Sequence, residues 1–223
     1  MSHHQHHPKD HTHSATEPAG EGHAHERGYD RHRNPNDLAA YLARLEDPTR
    51  EQWQQPDAVV AALRLSPGQT VAEIGAGPGY FSLRLARAVG DAGHVFAVEV
   101  EPRILEVLRE RIAASGLRNL SPVLALPDDA LLPRASCDCV LLVNTFHHFA
   151  EPVAALLRLS RSLRPGGRLV NIDFHARETG MGPPLAHRVP REQFLSWVEA
   201  AGLRLVEEPE FLPHQYFVVA QVR

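Results

Sequence analysis

Between Thr70 and Ser82 the chain reads Thr-Val-Ala-Glu-Ile-Gly-Ala-Gly-Pro-Gly-Tyr-Phe-Ser, and this run constrains the fold more than any other. A short apolar strand, Val71 to Ile74, enters a turn punctuated by Gly75, Gly77 and Gly79. An amphipathic segment follows, with Phe81, Leu83, Leu85, Ala88 and Val89 on its apolar face. The turn demands backbone angles that other residues resist, and a missing Cβ lets a ligand press against the main chain. A strand, a glycine turn and a helix N-terminus in that order build a nucleotide site.

The spacing narrows the nucleotide. Dinucleotide folds favour Gly-x-Gly-x-x-Gly, with a helix N-terminus facing a pyrophosphate. Here the pattern is Glu73-x-Gly75-x-Gly77-x-Gly79, with an acid ahead of the glycines. A carboxylate there repels a pyrophosphate and suits a ligand carrying an ammonium. The run His94 to Glu99 then forms a second apolar strand, ending in a carboxylate twenty residues after Gly79. An acid at that strand end accepts hydrogen bonds from ribose hydroxyls. The competing reading is a glycine turn in some other α/β protein; the succession of strand, acid, glycines, helix, strand and acid weighs against it. The pattern resembles motif I of the class I S-adenosylmethionine-dependent methyltransferases, whose ligand joins a sulfonium to an amino acid.

The 223 residues, 43% hydrophobic, suffice for one α/β domain with a tail. Net charge is −4 with acids and bases interspersed, so no basic face for nucleic acid stands out. No stretch reaches the roughly 18 apolar residues of a membrane span, and the N-terminus lacks a signal peptide's apolar region. Alternation along a strand would send Cys137 and Cys139 to the same face, too constrained for a disulfide, as core filler in a reducing cytoplasm. A soluble, cytoplasmic protein is expected.

Three parts are expected. Residues 1–33 hold nine of the fifteen histidines among Pro, Gly, Ser and acids, with no apolar periodicity, and read as a disordered tail. The pairs His11, His13 and His23, His25 are flexible chelators for a divalent metal, an accessory property. Residues 34–66 read as a helical cap: Asn36-Asp37 opens one helix, Asp47-Pro48 a second piece and Pro56-Asp57 a third. From residue 67 to 223 strands and helices alternate, which argues for a parallel sheet with crossover helices. Strands are expected at Pro122–Leu126, Cys137–Val143, Arg168–Phe174, Leu203–Glu207 and Gln215–Val222, with Pro165-Gly166-Gly167 closing a helix before the third of these. The resemblance implies a Rossmann-like seven-stranded sheet, its last strand antiparallel and inserted beside the fifth, with helices on both faces. The chain looks closest to the small-molecule branch typified by ubiquinone/menaquinone C-methyltransferases.

Carried over by position, the resemblance implies the donor site. Glu73 would hold the methionine ammonium. The backbone at Gly75, Ala76, Gly77 and Gly79 would lie under sugar and amino acid. Glu99 would take the ribose hydroxyls and Val100 would pack on adenine. Asp128, with Asp129 beside it, would accept from the adenine amino group, a solvated turn or helix cap being the alternative. Asn144 stands near the methionine end, where many relatives carry Asp, and an amide is no base. Trp53 is either a lid contact or a packing residue.

Methyl transfer from S-adenosylmethionine, with S-adenosylhomocysteine as product, is an in-line displacement that needs alignment and exclusion of water. A base is required only where the acceptor loses a proton. His147 and His148, after the fourth strand, are the candidates, since imidazole titrates near neutral pH and this strand end faces the ligand crevice. The alternative has one histidine capping a helix and the other orienting a loop. Asp173, His175 and Arg188 are further pocket candidates. The site Asn144-Thr-Phe-His147 lacks the prolines typical of enzymes acting on base or amide nitrogens. The expected acceptor is a small organic molecule, methylated on oxygen, carbon or nitrogen; a homodimer is left open. A protein carboxyl methyltransferase is the rival enzyme. A histidine-rich metal-handling protein with a cofactor-binding core is the rival from another class.

Overall fold

The computed structural model describes Met1 and residues 37–223. The histidine tail, with His11, His13, His23 and His25, lies outside the described residues.

Three short helices come first: α1 (Leu38–Leu45), α2 (Arg50–Trp53) and α3 (Pro56–Ala62). Asp37 caps α1, its Oδ1 accepting from Ala40 N at 3.0 Å. The rest alternates: β1 (Thr70–Ile74), α4 (Ser82–Val89), β2 (His94–Glu99), α5 (Pro102–Ser115), β3 (Leu120–Leu124), β4 (Cys137–Val143), α6 (Pro152–Ser162), β5 (Leu163–Phe174), α7 (Arg191–Ala200), β6 (Leu203–Glu207) and β7 (Gln215–Val222). Prolines open α3, α5 and α6, where the missing N–H has no helical partner to lose. Gly116, at φ 71°, ends α5 in the left-handed conformation.

The seven strands form one sheet in the order β3-β2-β1-β4-β5-β7-β6. Strands β1 to β5 are parallel, and β7 runs antiparallel to both β5 and β6. The strand order reverses between β1 and β4. Open α/β sheets bind ligands beyond the carboxyl ends of the strands at such a reversal, and the glycine turn after β1 and the Asn144–Phe149 segment after β4 meet there. One face of the sheet packs Val71, Val95, Ala97, Leu141 and Val170 against α3, α4 and α5 through Val59, Leu85, Val89 and Leu108. The other packs Ala72, Ile74, Val140 and Leu142 against Leu156 and Leu159 of α6 and Phe194 and Val198 of α7.

Several boundaries differ from expectation. β3 lies two residues earlier, with Pro122 inside it opposite Ala97; an edge strand tolerates the lost donor. β5 begins directly at Leu163, which pairs with Cys137, so the Pro165-Gly166-Gly167 run belongs to the strand. On α4 it is Ala86 that is fully buried, with Ala88 half-buried. The two cysteines do not share a face. Cys139 joins the cluster under α4 and Cys137 the cluster under α6, because a register irregularity against β5 falls between them. Both are buried and free, and burial pushes the Cys139 thiol up to about 12. Their expected role as core filler stands. Among the described residues no helix is long and apolar enough to cross a membrane.

Candidate functional site

The glycine turn is held by its neighbours. Gly75 N and Ala76 N both donate to Val98 O at 2.9 Å, so the turn folds back on β2. A Cβ on Gly75, at φ 73°, would strike Thr145 Oγ1 and lie 2.6 Å from its Cγ2. The turn after β1 and the segment after β4 therefore touch at the position where a side chain is missing. Gly75→Ala is expected to cost about 1–3 kcal/mol in backbone strain and about as much again from overpacking. A thermal melt checks this; an unchanged midpoint would mean the two loops are not packed together. Gly79, at φ 92°, approaches Leu108 of α5, where a Cβ would lie 2.8 Å from Cδ1.

Glu99 is the organising acid. Its Oε2 accepts from Gly77 N at 2.9 Å, and its Oε1 from Val100 N at 2.8 Å and Glu101 N at 3.0 Å. Only 7% exposed, it ties the glycine turn to the end of β2. Burial pushes its carboxyl above the ordinary range, against the three backbone donors. Oε2, which takes one backbone donor, retains lone-pair capacity for a sugar hydroxyl.

Glu73, 3% exposed, accepts a hydrogen bond from the Ser82 hydroxyl at the start of α4. Burial pushes its carboxyl up to about 8; the Ser82 bond and the field of Arg50 pull it down, and Glu99 raises it. No ion pair closes on it among the described residues. A buried acid held near neutrality for want of a cation fits the ammonium of an amino-acid ligand. The sign for stability follows from the raised value. The folded protein keeps a proton that the unfolded chain releases, so this contribution is complete below the ordinary carboxylate range and lost as pH rises through about 8. Ligand-free protein is expected to melt lower at about pH 9 than at about pH 7. Glu73→Gln should flatten that dependence; a variant that follows the wild type would remove Glu73 as its source.

The other expected site residues are distributed as follows. Val100 is half-buried beside Glu99, giving its N–H to that carboxylate. Asn144 adopts φ 54°, a left-handed conformation that asparagine tolerates better than most residues. Its Oδ1 accepts from Gln215 Nε2 at 2.6 Å. Asp128 is exposed, with a side chain 68% open and 3.7 Å from Arg158 Nη2. The Asp129 carboxylate accepts from Leu131 N at 2.9 Å, and its backbone bridges that of Leu126. The resemblance implies an acid for adenine here; the structure gives both carboxylates other partners, in a turn.

His147 and Asp173 are brought together. Nδ1 of His147 lies 2.9 Å and 3.0 Å from the two Asp173 oxygens, and His147 N donates to Oδ2 at 3.3 Å. Asp173, at the end of β5, is fully buried and also accepts Phe174 N at 2.9 Å. The His147 side chain is 5% exposed, and the His148 ring lies 4.1 Å from it, centroid to centroid. Trp53 packs on Phe174 at 5.5 Å, so the cap reaches the end of β5. His175 is half-buried, and burial lowers its basicity.

Arg188 is not placed to receive a substrate. Its Nε donates to Pro183 O at 2.8 Å, Nη1 to Arg177 O at 2.6 Å, Thr179 Oγ1 at 2.9 Å and His175 O at 3.1 Å, and Nη2 to Met181 O at 2.7 Å. The guanidinium stitches loop 176–190 together above the Phe174 ring. A cation in a glycine- and proline-rich loop reads the same in sequence whether it faces a ligand or its own carbonyls. In sequence, Arg50 and Gln54 stand out only as a cation and an amide beside Trp53, with no role assigned to either. Ser82, the ninth residue after Glu73, has no local pattern to mark it as that acid's partner.

An open groove of about 640 Å³ lies on the outer side of the turn, lined by Asp57, Tyr80, Arg84, Arg87 and Arg111. It shares Gly79 and Tyr80 with the glycine run but neither acid, so the chemistry and this groove do not coincide. The cap explains this: Leu45 Cδ1 lies 3.4 Å from where a Gly77 Cβ would stand, and α1 covers the turn.

Residues 71–167 match the model of a methyltransferase domain family. A solved S-adenosylmethionine-dependent methyltransferase from Aquifex aeolicus superposes with a TM-score of 0.78 at 27% identity, over 82% of this chain and 98% of that one. The chain thus carries a methyltransferase domain over residues 71–167 and is similar in fold and sequence to S-adenosylmethionine-dependent methyltransferases. Among curated relatives, a ubiquinone/menaquinone biosynthesis C-methyltransferase of Vibrio cholerae is 30% identical over 109 residues, 48% of this chain and 42% of that protein. A protein-L-isoaspartate O-methyltransferase of Methanothrix thermoacetophila is 33% identical over 108 residues, 48% of this chain and 49% of that protein. The methyltransferase thus covers less than half the length of these two relatives. Its strand order and the antiparallel β7 are those the resemblance implies. Its cofactor is S-adenosylmethionine, and the buried Glu73 and the Glu99-braced glycine turn suit that ligand's ammonium and ribose.

Proposed function

We propose that the enzyme methylates a small organic acceptor that must lose a proton, on oxygen, carbon or nitrogen, with His147 receiving the proton. S-adenosylmethionine supplies an electrophilic methyl group on its sulfonium. The observation that carries this reading is the His147–Asp173 pair at the ends of β4 and β5. A carboxylate facing Nδ1 holds the proton on that nitrogen and leaves Nε2 with a lone pair, the state required of a base. Asp173 in turn stabilises the imidazolium that forms. Phe174 N and His147 N fix the carboxylate, so the ring does not swing.

The test is transfer of labelled methyl from S-adenosylmethionine to a panel of phenols, enolisable diketones, amines and isoaspartyl peptides. Labelling of hydroxyl, carbon-acid or amine acceptors supports the proposal. The match to a carboxyl methyltransferase favours a second reading, and labelling confined to isoaspartyl peptide would establish it. A carboxylate acceptor is already ionised and needs no base, so that activity should survive His147→Gln. The metal-handling alternative rests wholly on the histidine tail: among the described residues no group of three or more His, Cys, Asp or Glu could hold a metal. Loss of all methyl transfer with metal uptake intact in the full chain would favour it.

A further inference from the structure

A buried acid and a half-buried guanidinium stand near the glycine turn without meeting. Glu73 has the Ser82 hydroxyl as its hydrogen-bond partner, and Arg50, from α2 of the cap, stands close enough for each to shift the other's proton affinity. Among the described residues no ion pair joins them. Arg50 is instead held in place from three sides. Its Nε and Nη2 donate to Gln54 Oε1 at 2.8 Å and 2.6 Å, its Nη1 to Leu45 O, and its guanidinium carbon lies 3.9 Å from the Tyr80 ring centroid. One N–H remains on each terminal nitrogen. Gln54 is completely buried, and its Nε2 has no partner. A buried amide N–H₂ without an acceptor is costly unless something supplies one.

These donors and the acid are matched to an α-amino acid, whose ammonium and carboxylate share one carbon. We propose that Arg50 and Gln54 form the carboxylate-binding half of the donor site, opposite Glu73. The ammonium closes on Glu73 while the carboxylate takes the spare guanidinium N–H groups and Gln54 Nε2. Arg50 also bonds Leu45 O at the end of α1, the residue that lies over Gly77, so a ligand carboxylate would fasten the cap above the turn. The inference rests on the methyltransferase reading and names the part of the cap that grips the donor.

Calorimetry on the full chain separates the possibilities with three ligands: S-adenosylhomocysteine, its decarboxylated analogue, and 5′-methylthioadenosine, which lacks the amino acid. Arg50→Met keeps an apolar stem against Tyr80 and removes the charge. It should weaken S-adenosylhomocysteine roughly 10- to 100-fold, as expected for losing hydrogen bonds to a charged group. Its affinity for the decarboxylated analogue should stay within about twofold. Gln54→Leu should show the same selectivity with a smaller loss. Equal weakening of both ligands, or of neither, would overturn the inference, because a cap that merely packs does not distinguish a carboxylate. Wild-type protein that binds none of the three would instead defeat the methyltransferase reading itself.

Discussion

Replacing Glu99 with alanine is expected to weaken S-adenosylhomocysteine binding by roughly 10- to 100-fold and to lower the melting temperature of the ligand-free protein. The side chain accepts three backbone N–H groups, from Gly77, Val100 and Glu101, in a setting where it is 7% exposed. Removing it leaves those donors without an acceptor, and each buried orphan costs about 1–3 kcal/mol before water or relaxation recovers part. The glycine turn also loses its tether to β2, so the cradle and the ribose acceptor fail together. Glu99→Gln is the informative companion. It preserves shape, but one of its two head atoms becomes a donor facing a backbone donor, so it should fall between alanine and wild type. Titration calorimetry and a thermal melt read both consequences. Wild-type affinity in Glu99→Ala would detach this acid from the site.

The second large effect belongs to the His147–Asp173 pair. His147→Gln should lower turnover on the acceptor about 10²- to 10⁴-fold, the usual contribution of a positioned base, while cofactor affinity changes little. Asp173→Asn should lose nearly as much, although the ring stays in place, because an amide N–H₂ facing Nδ1 favours the proton on Nε2 and removes the lone pair. The double variant should be little worse than either single one, since the two residues act as a unit. The rise of rate with pH that a base confers should be lost in both. Normal rates in both, with an acceptor that carries an acidic proton, would return His147 to a purely structural role within the 3₁₀ turn at Phe146–His148.

The parts of this enzyme legible in sequence were those written locally. β6 and β7 begin and end where expected, because Gly202, Pro209 and Pro213 punctuate an otherwise apolar stretch. The glycine turn and its two acids announced themselves through short spacing in one strand–turn–helix unit. What failed depended on how strands are offset or on who sits opposite whom. Cys137 and Cys139 look equivalent by alternation, and a β4–β5 irregularity separates them. Asp173 and His147 were both singled out, yet nothing in a separation of 26 positions says that one carboxylate meets one imidazole. Arg188 carries the charge of a ligand-binding residue, and its burial against five loop acceptors is a property of the folded loop alone. Asp128 and Asp129 sit at the expected position in the chain, with side chains turned to Arg158 and to the local backbone.

The account stands or falls on an amino-acid nucleoside seated between Glu73 and Glu99. Its most direct test is calorimetric titration of the wild-type chain with S-adenosylhomocysteine and, in parallel, with NAD, in two buffers of different ionisation heat near pH 7. A single S-adenosylhomocysteine site that releases protons as Glu73 ionises, with no heat from NAD, is the expected result. Uptake of NAD by a protein that ignores S-adenosylhomocysteine would contradict it.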